Sequence, residues 1–345
     1  MVMVRKVTLK DIARETGVHV STVSRALDPD TRGALTETVV ARVTEAAERM
    51  GYRRNRLAAG LRTNRTGTVG LVLPDIANTL FPPIVRGVES VLEPRGYVSI
   101  LVNTDGQRER VKSQINVLLE RGVDGILHAA AEEDDPALAD VLRAGVPMIT
   151  VNRELCGSGV PAVISDDAQG VCAVVRHLHR LGHRHIAHLA GPQRLSTGVE
   201  RLRAFRVAME DVGLSSQHAV VAQADRLDEA EGFRVAQSVL QRRPRPTALV
   251  ASNDRLALGA LDAARSAGLS CPEDVSITGF NDVPFLDMIP PGLTSVAIRK
   301  TEMGQVAARL LLGWMTSDTV EIPPRTVLPV TFVERGSVGP APAAI

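Results

Sequence analysis

From Thr68 to about residue 336 the chain alternates short runs rich in β-branched residues (TVGLVL, YVSILV, DGILHA, PMITV, AVISD, HIAHLA, TALVAS, VSITGF) with longer helical stretches. A helix between successive strands returns the chain in the same direction, so this alternation predicts parallel sheets made of strand-helix-strand crossovers, an α/β fold. The helical stretches fall at 84–95, 107–121, 167–181, 199–212, 229–242 and 252–267. The series is too long for one doubly wound sheet, and DDAQG at 166–170 predicts a break between two.

The first 50 residues follow a different rule: three short helical patterns and no strand. Thr8 is placed to cap LKDIARET, which Gly17 ends. VSTVSRAL then puts Val20, Val23, Ala26 and Leu27 on one stripe, and a third helix from about Thr36 to Met50 aligns Val39, Val43, Ala46, Ala47 and Met50. Helix, tight turn, helix and a supporting third helix is the helix-turn-helix order, whose second helix enters the major groove. Val20, Ser21 and Arg25 are the candidate base readers: Arg25 for guanine O6 and N7, Val20 for a thymine methyl, Ser21 for either kind of base. Thr8, Thr22, Ser24 and Asn55 suit phosphate oxygens, which position the protein without reading sequence. Solvated surface charge is the plainer alternative for Arg25.

Charge agrees with this division. The formal net charge of +1 conceals a basic head, since residues 1–66 carry 13 Lys and Arg against 7 Asp and Glu, while the rest is acidic. The segment 51–67 is rich in arginine, contains no acid and has few large apolar residues, so it reads as a linker or a segment that orders on binding.

The stretch VTLKDIARETGVHVSTVSRAL, followed by TETVVARVTEAAERMGYRRNRLAAGLRT, resembles the DNA-binding head and hinge of the lactose-repressor-like (LacI/GalR) family of bacterial transcription regulators. The body continues in that family's order through TGTVGLVLPDIANTLF, RGVDGILH, VPMITVNR, LGHRHIAHLAGP, RLRAF, ASNDRLALGAL, EDVSITGFND and PPGLTSV. The resemblance implies a helix-turn-helix head at 1–52, a hinge at 53–66 and an effector-binding and dimerisation body at 67–345. That body would be a two-lobed, periplasmic-binding-protein type I-like fold, lobe one at about 67–165 and 297–322, lobe two at about 166–296 and 323–336. It implies a homodimer on a pseudo-palindromic double-stranded DNA operator, with Leu61 wedged into the minor groove beside Arg62. It also implies an effector cleft lined by Phe81, Asn152, Arg153, Thr197, Arg201, Asn253 and Asn281. His19 stands where the family usually has a capping serine, Arg54 where it often has proline, and Asn281 where sugar- and base-binding relatives place aspartate.

Parallel α/β sheets bind ligands at the carboxyl ends of their strands, where these cleft residues fall. With one tryptophan and two tyrosines in the chain, aromatic stacking of a sugar is disfavoured, while Arg153 and Arg201 could clamp a carboxylate or phosphate. The expected effector is therefore anionic, with a sugar as second choice. The plainer readings are that Arg201 braces its helix, Asn152 caps a turn and Asn253 caps the helix that follows it.

Other chemistries find little support. His177, His179, His183, His185 and His188 crowd together, but without a cysteine or acidic ligand nearby they read as surface imidazoles rather than a metal site. Cys156, Cys172 and Cys271 lack CxxC spacing and read as free thiols. No nucleophile-elbow, zinc-protease or phosphate-loop motif occurs, so no enzyme and no cofactor is expected. No apolar run spans a bilayer and the start MVMVRKVTLK lacks an export signal's apolar core, so the chain reads as cytoplasmic. The basic head and the missing signal also argue against the nearest alternative, a periplasmic solute receptor. The tail after Phe332 has no apolar heptad, which favours a dimer over a tetramer.

Overall fold

The computed structural model describes residues 7–28, 31–52, 65–214, 218–317 and 320–342. The chain divides into two compact units, Met1–Thr66 and Gly67–Ile345. In the first, α1 (Leu9–Thr16), α2 (Val20–Ala26) and α3 (Glu37–Arg49) enclose a core of Ile12, Ala13, Val23, Ala26, Val43, Ala46 and Ala47. The Thr8 hydroxyl and the Asp11 carboxylate cap each other's backbone at the start of α1. Gly17, at φ 68°, ends it in the left-handed region that glycine enters without strain.

The second unit holds two parallel sheets. The first runs β11-β5-β4-β3-β1-β2 and comprises β1 (Thr68–Leu73), β2 (Val98–Asn103), β3 (Gly125–His128), β4 (Met148–Val151), β5 (Ala162–Ser165) and β11 (Arg325–Leu328). Its helices are α4 (Phe81–Leu92), α5 (Arg108–Glu120), α6 (Leu138–Ala144) and α11 (Lys300–Thr316). The second sheet runs β7-β6-β8-β9, from β6 (Ile186–Ala190), β7 (Ala219–Gln223), β8 (Ala248–Ala251) and β9 (Ser276–Thr278). It carries α7 (Asp167–Arg180), α8 (Ser196–Asp211), α9 (Glu229–Leu240) and α10 (Asp254–Ser266). An antiparallel ribbon of β10 (Ser295–Ile298) and β12 (Val330–Val333) packs against α7.

The chain therefore crosses between lobes three times, first at Ser165–Asp166. The last crossing differs from expectation. Residues from 323 onward were assigned to lobe two, yet β11 pairs in parallel with β5, Arg325 opposite Ala162, and belongs to lobe one. The crossing falls at Pro329, between two strands whose alternating Val and Thr look alike in sequence. The helices α6 and α11 were likewise not anticipated. The latter contains Gly304, whose missing side chain lets it approach α4: a Cβ there would lie 2.0 Å from the Ile84 carbonyl oxygen.

The histidine cluster is a second correction. His183 and His188 are fully buried and His177 nearly so, rather than forming a surface patch. For His183 and His188 burial is tolerated because the rings are hydrogen-bonded: His183 to Thr247 Oγ1 (2.9 Å) and the Gly339 carbonyl (3.0 Å), His188 to the Val250 carbonyl (2.8 Å). Burial pushes the His188 imidazole down to about 4, keeping it neutral while it stacks on Phe205. Among the described residues no group of three His, Cys, Asp or Glu side chains could hold a metal ion, and no helix is long and apolar enough to cross a membrane.

Candidate DNA-reading helix and effector cleft

The apolar stripe of α2 turns Val23 and Ala26 into the head's core, which leaves Ser21 and Arg25 exposed on the opposite face. Val20, Thr22 and Ser24 are half-buried, Val20 packing against the core. Thr8 uses its hydroxyl proton on Asp11 Oδ2 (2.7 Å) and accepts the Asp11 backbone N–H, so the cap, rather than a free surface, holds it. His19 caps α2 through Nδ1, which accepts the Ser21 N–H (3.3 Å) and lies 2.8 Å from Ser21 Oγ. Asn55, Leu61 and Arg62 lie outside the described residues.

In the body, a cavity of about 380 Å³ opens between the lobes at the carboxyl ends of their strands. Lobe one contributes Asp75 after β1, Asp105 after β2, Glu132 after β3 and Arg153 after β4. Lobe two contributes Arg194 after β6, Arg226 and Asp228 after β7, and Arg255 at the start of α10. Among the described residues no aromatic side chain lines it. A smaller hollow of about 260 Å³ beside the first crossing is lined by Asn152 and Thr197, along with Ser165, Asp166 and Glu200.

The two lobes are tied across the cavity. Arg255 Nη1 meets Asp75 Oδ2 of the other lobe at 3.0 Å while its remaining nitrogens hold Glu229 (2.7 and 2.8 Å). Arg194 Nε reaches Glu132 Oε1 (3.3 Å), the Glu133 N–H donates to the Arg194 carbonyl (2.8 Å), and the Glu154 N–H to Ser196 Oγ (2.9 Å). Arg226 pairs with Asp228 within lobe two (2.6 Å).

Arg153 differs from these arginines. It is 8% exposed, its Nε has no hydrogen-bond partner, and its Nη1 makes one long bond to the Ala131 carbonyl (3.4 Å). Burial pulls its pKa down to about 10; Glu132 works against that fall, and the neighbouring Arg194 and Arg201 charges add to it. A buried cation without a carboxylate of its own is costly, and an anionic group in the cavity would relieve it.

The other expected cleft residues lie elsewhere. Phe81 opens α4 and is buried in the core. Arg201 is enclosed, its Nη2 on Asp167 Oδ1 (3.0 Å), its Nη1 on the Ser252 carbonyl (2.5 Å), and its guanidinium carbon 3.8 Å from the Phe280 ring centre. Asn253 caps α10, accepting the Leu256 N–H (2.8 Å) and donating to the Leu227 carbonyl (3.3 Å). Asn281 is buried at φ 108° with Oδ1 unpartnered, while Lys300 donates to its backbone carbonyl (2.6 Å). Of this cavity's charged lining only Arg153 was expected; Asp75, Asp105 and Glu132 of lobe one and Arg194, Arg226, Asp228 and Arg255 of lobe two were missed, the readable signal being that all fall just past the carboxyl ends of strands.

Residues 8–55 match the model for bacterial regulatory proteins of the lacI family, and residues 175–338 match a periplasmic binding protein-like domain. Catabolite control protein A of Priestia megaterium is 30% identical, the match covering 91% of this chain and 94% of that protein. A LacI family transcriptional regulator from Enterococcus faecium, solved with bound ribose, is 30% identical, with a TM-score of 0.70 over 79% of this chain and 99% of that one. The lac repressor dimer bound to operator and an anti-inducer shares the fold, at 24% identity and a TM-score of 0.85 over 97% of this chain and 100% of that one. The similar proteins are transcriptional regulators and not enzymes. With a helix-turn-helix head joined to a two-lobed body, this chain belongs to the lacI family of bacterial regulatory proteins and is a DNA-binding transcriptional regulator.

Proposed function

We propose that the chain is a cytoplasmic repressor which binds a pseudo-palindromic operator as a homodimer and is controlled by a small anionic effector held between its lobes. Val20, Ser21 and Arg25 read bases, with Thr22, Ser24 and Asn55 on phosphates and Thr8 ordering the head; Leu61 and Arg62 supply the minor-groove contact. The observation that carries the anionic reading is Arg153, a buried guanidinium lacking a carboxylate partner at the wall of a cavity without aromatic side chains. Asn152 and Thr197 line the smaller hollow, and Phe81, Arg201, Asn253 and Asn281, buried in the body, take no direct part in this reading.

Effector binding changes the angle between lobes, and a ligand shifts that equilibrium by its difference in affinity for the two states. Relief of repression is the expected sign; strengthened operator binding on adding the ligand would make it a corepressor. Calorimetry of the full chain against carboxylates, sugar phosphates and neutral sugars tests the effector class. The reading predicts binding by an acidic ligand that Arg153→Ala abolishes. Tight binding of a neutral sugar with no acidic ligand bound overturns it. That second reading has its own support, because Asp75, Asp105 and Asp228 offer hydroxyl acceptors and a similar protein was solved with ribose.

A further inference from the structure

The exposed hydroxyl of Ser21 is not free to rotate as an ordinary serine is. Its own backbone N–H points at His19 Nδ1 (3.3 Å), so that ring nitrogen carries the lone pair and not the proton. The same lone pair lies 2.8 Å from Ser21 Oγ, and with the nitrogen as acceptor the hydroxyl must donate its single proton there. Oγ is left with two outward lone pairs and no hydrogen. A serine on a recognition helix normally serves either kind of base because its hydroxyl can donate or accept. Here the imidazole of the preceding cap removes half of that repertoire.

We infer that His19 is a specificity-determining residue that fixes Ser21 as a pure hydrogen-bond acceptor, so that Ser21 selects the exocyclic amino groups of adenine N6 and cytosine N4 in the major groove and rejects guanine O6 and thymine O4. The inference rests on the reading of Ser21 as a base-contacting residue. His19 itself need not touch DNA: it acts through the polarity of its neighbour. Two acceptors facing each other repel across the groove, so the discrimination comes from exclusion as much as from the bond formed. A single neutral hydrogen bond made or lost corresponds to about threefold to tenfold in affinity.

The test selects duplexes from a randomised pool with the full chain and reads the enriched half-site. Ser21→Ala identifies the column that Ser21 contacts. In the parent that column should show an amino-versus-keto asymmetry on one strand, adenine or cytosine favoured over guanine or thymine by about threefold to tenfold. His19→Gly frees the hydroxyl at little cost to the cap and should flatten the asymmetry while retaining the other columns. His19→Asn keeps an acceptor at the cap and should preserve it. A parent column without asymmetry, or an asymmetry that survives His19→Gly, overturns the inference while leaving Ser21 a base reader. If Ser21→Ala changes no column, the base-reading role falls, and this inference with it.

Discussion

Replacing Arg201 with alanine removes the partner of a buried carboxylate. Asp167 is 7% exposed and accepts Arg201 Nη2 at 3.0 Å; the same guanidinium ties the Ser252 carbonyl and lies against Phe280. Breaking a buried pair from one side strands a charge and costs about 3 to 5 kcal/mol. The loss has a pH signature whose sign follows from the carboxylate. Burial already raises the Asp167 pKa in the intact protein, and Arg201 is the chief influence holding it down. A carboxyl whose folded pKa lies above its unfolded one favours the folded state most below the unfolded value, and that contribution disappears as pH rises through the folded pKa. Without Arg201 the folded pKa climbs further. The variant should therefore be weakest against the parent at about pH 8 and recover part of the difference toward about pH 5. Urea unfolding at both values measures it, and adding Asp167→Asn should restore stability at the higher pH. A loss below about 1 kcal/mol, or one that is the same at both values, would refute the placement of Arg201 as a structural brace.

Three further outcomes are expected. Gly87→Ala should cost at least about 2 kcal/mol in unfolding free energy, because the new Cβ would lie 2.1 Å from the Thr301 carbonyl oxygen between α4 and α11; a neutral variant would mean that these helices are not closely packed. Asp75→Asn combined with Glu132→Gln should widen the separation of fluorophores on the two lobes and make it insensitive to salt, whereas the parent opens as salt rises; each partly exposed pair contributes up to about 1 kcal/mol. Arg25→Ala should cost about 1 to 3 kcal/mol of operator binding and relax one base pair, checked by titration against single-base operator variants.

The alternation of β-rich runs and helices made β1 to β6, β8 and β9 readable, because most of these strands pair through local crossovers; β7 (Ala219–Gln223), at the edge of the second sheet, was not among the runs. The exchange of β11 and β12 between lobes was not readable: Arg325–Leu328 and Val330–Val333 are both short runs containing Thr and Val, and their partners, β5 and β10, are what assign them. In the head, the exposure of Ser21 and Arg25 was legible, since the core stripe of α2 fixes which face is left over. In the cleft, residue type and strand end pointed to Arg153 and Arg201 alike. What separates them is Asp167, which lies 34 positions from Arg201 and bonds it directly, while among the described residues Glu132 acts on Arg153 through its charge without a direct pair. Pairing of that kind is a property of the folded chain, and no spacing in the sequence encodes it.

The claim that joins head and cleft is a coupling free energy, and thermodynamic linkage makes it reciprocal. Its most direct test takes a ligand found by calorimetry to bind the parent, and whose binding is lost in Arg153→Ala, and measures operator affinity with and without it, then ligand affinity with and without operator. The account predicts that both ratios depart from one by the same factor, about 5- to 150-fold. A ligand that occupies the cleft and leaves operator affinity unchanged would contradict it.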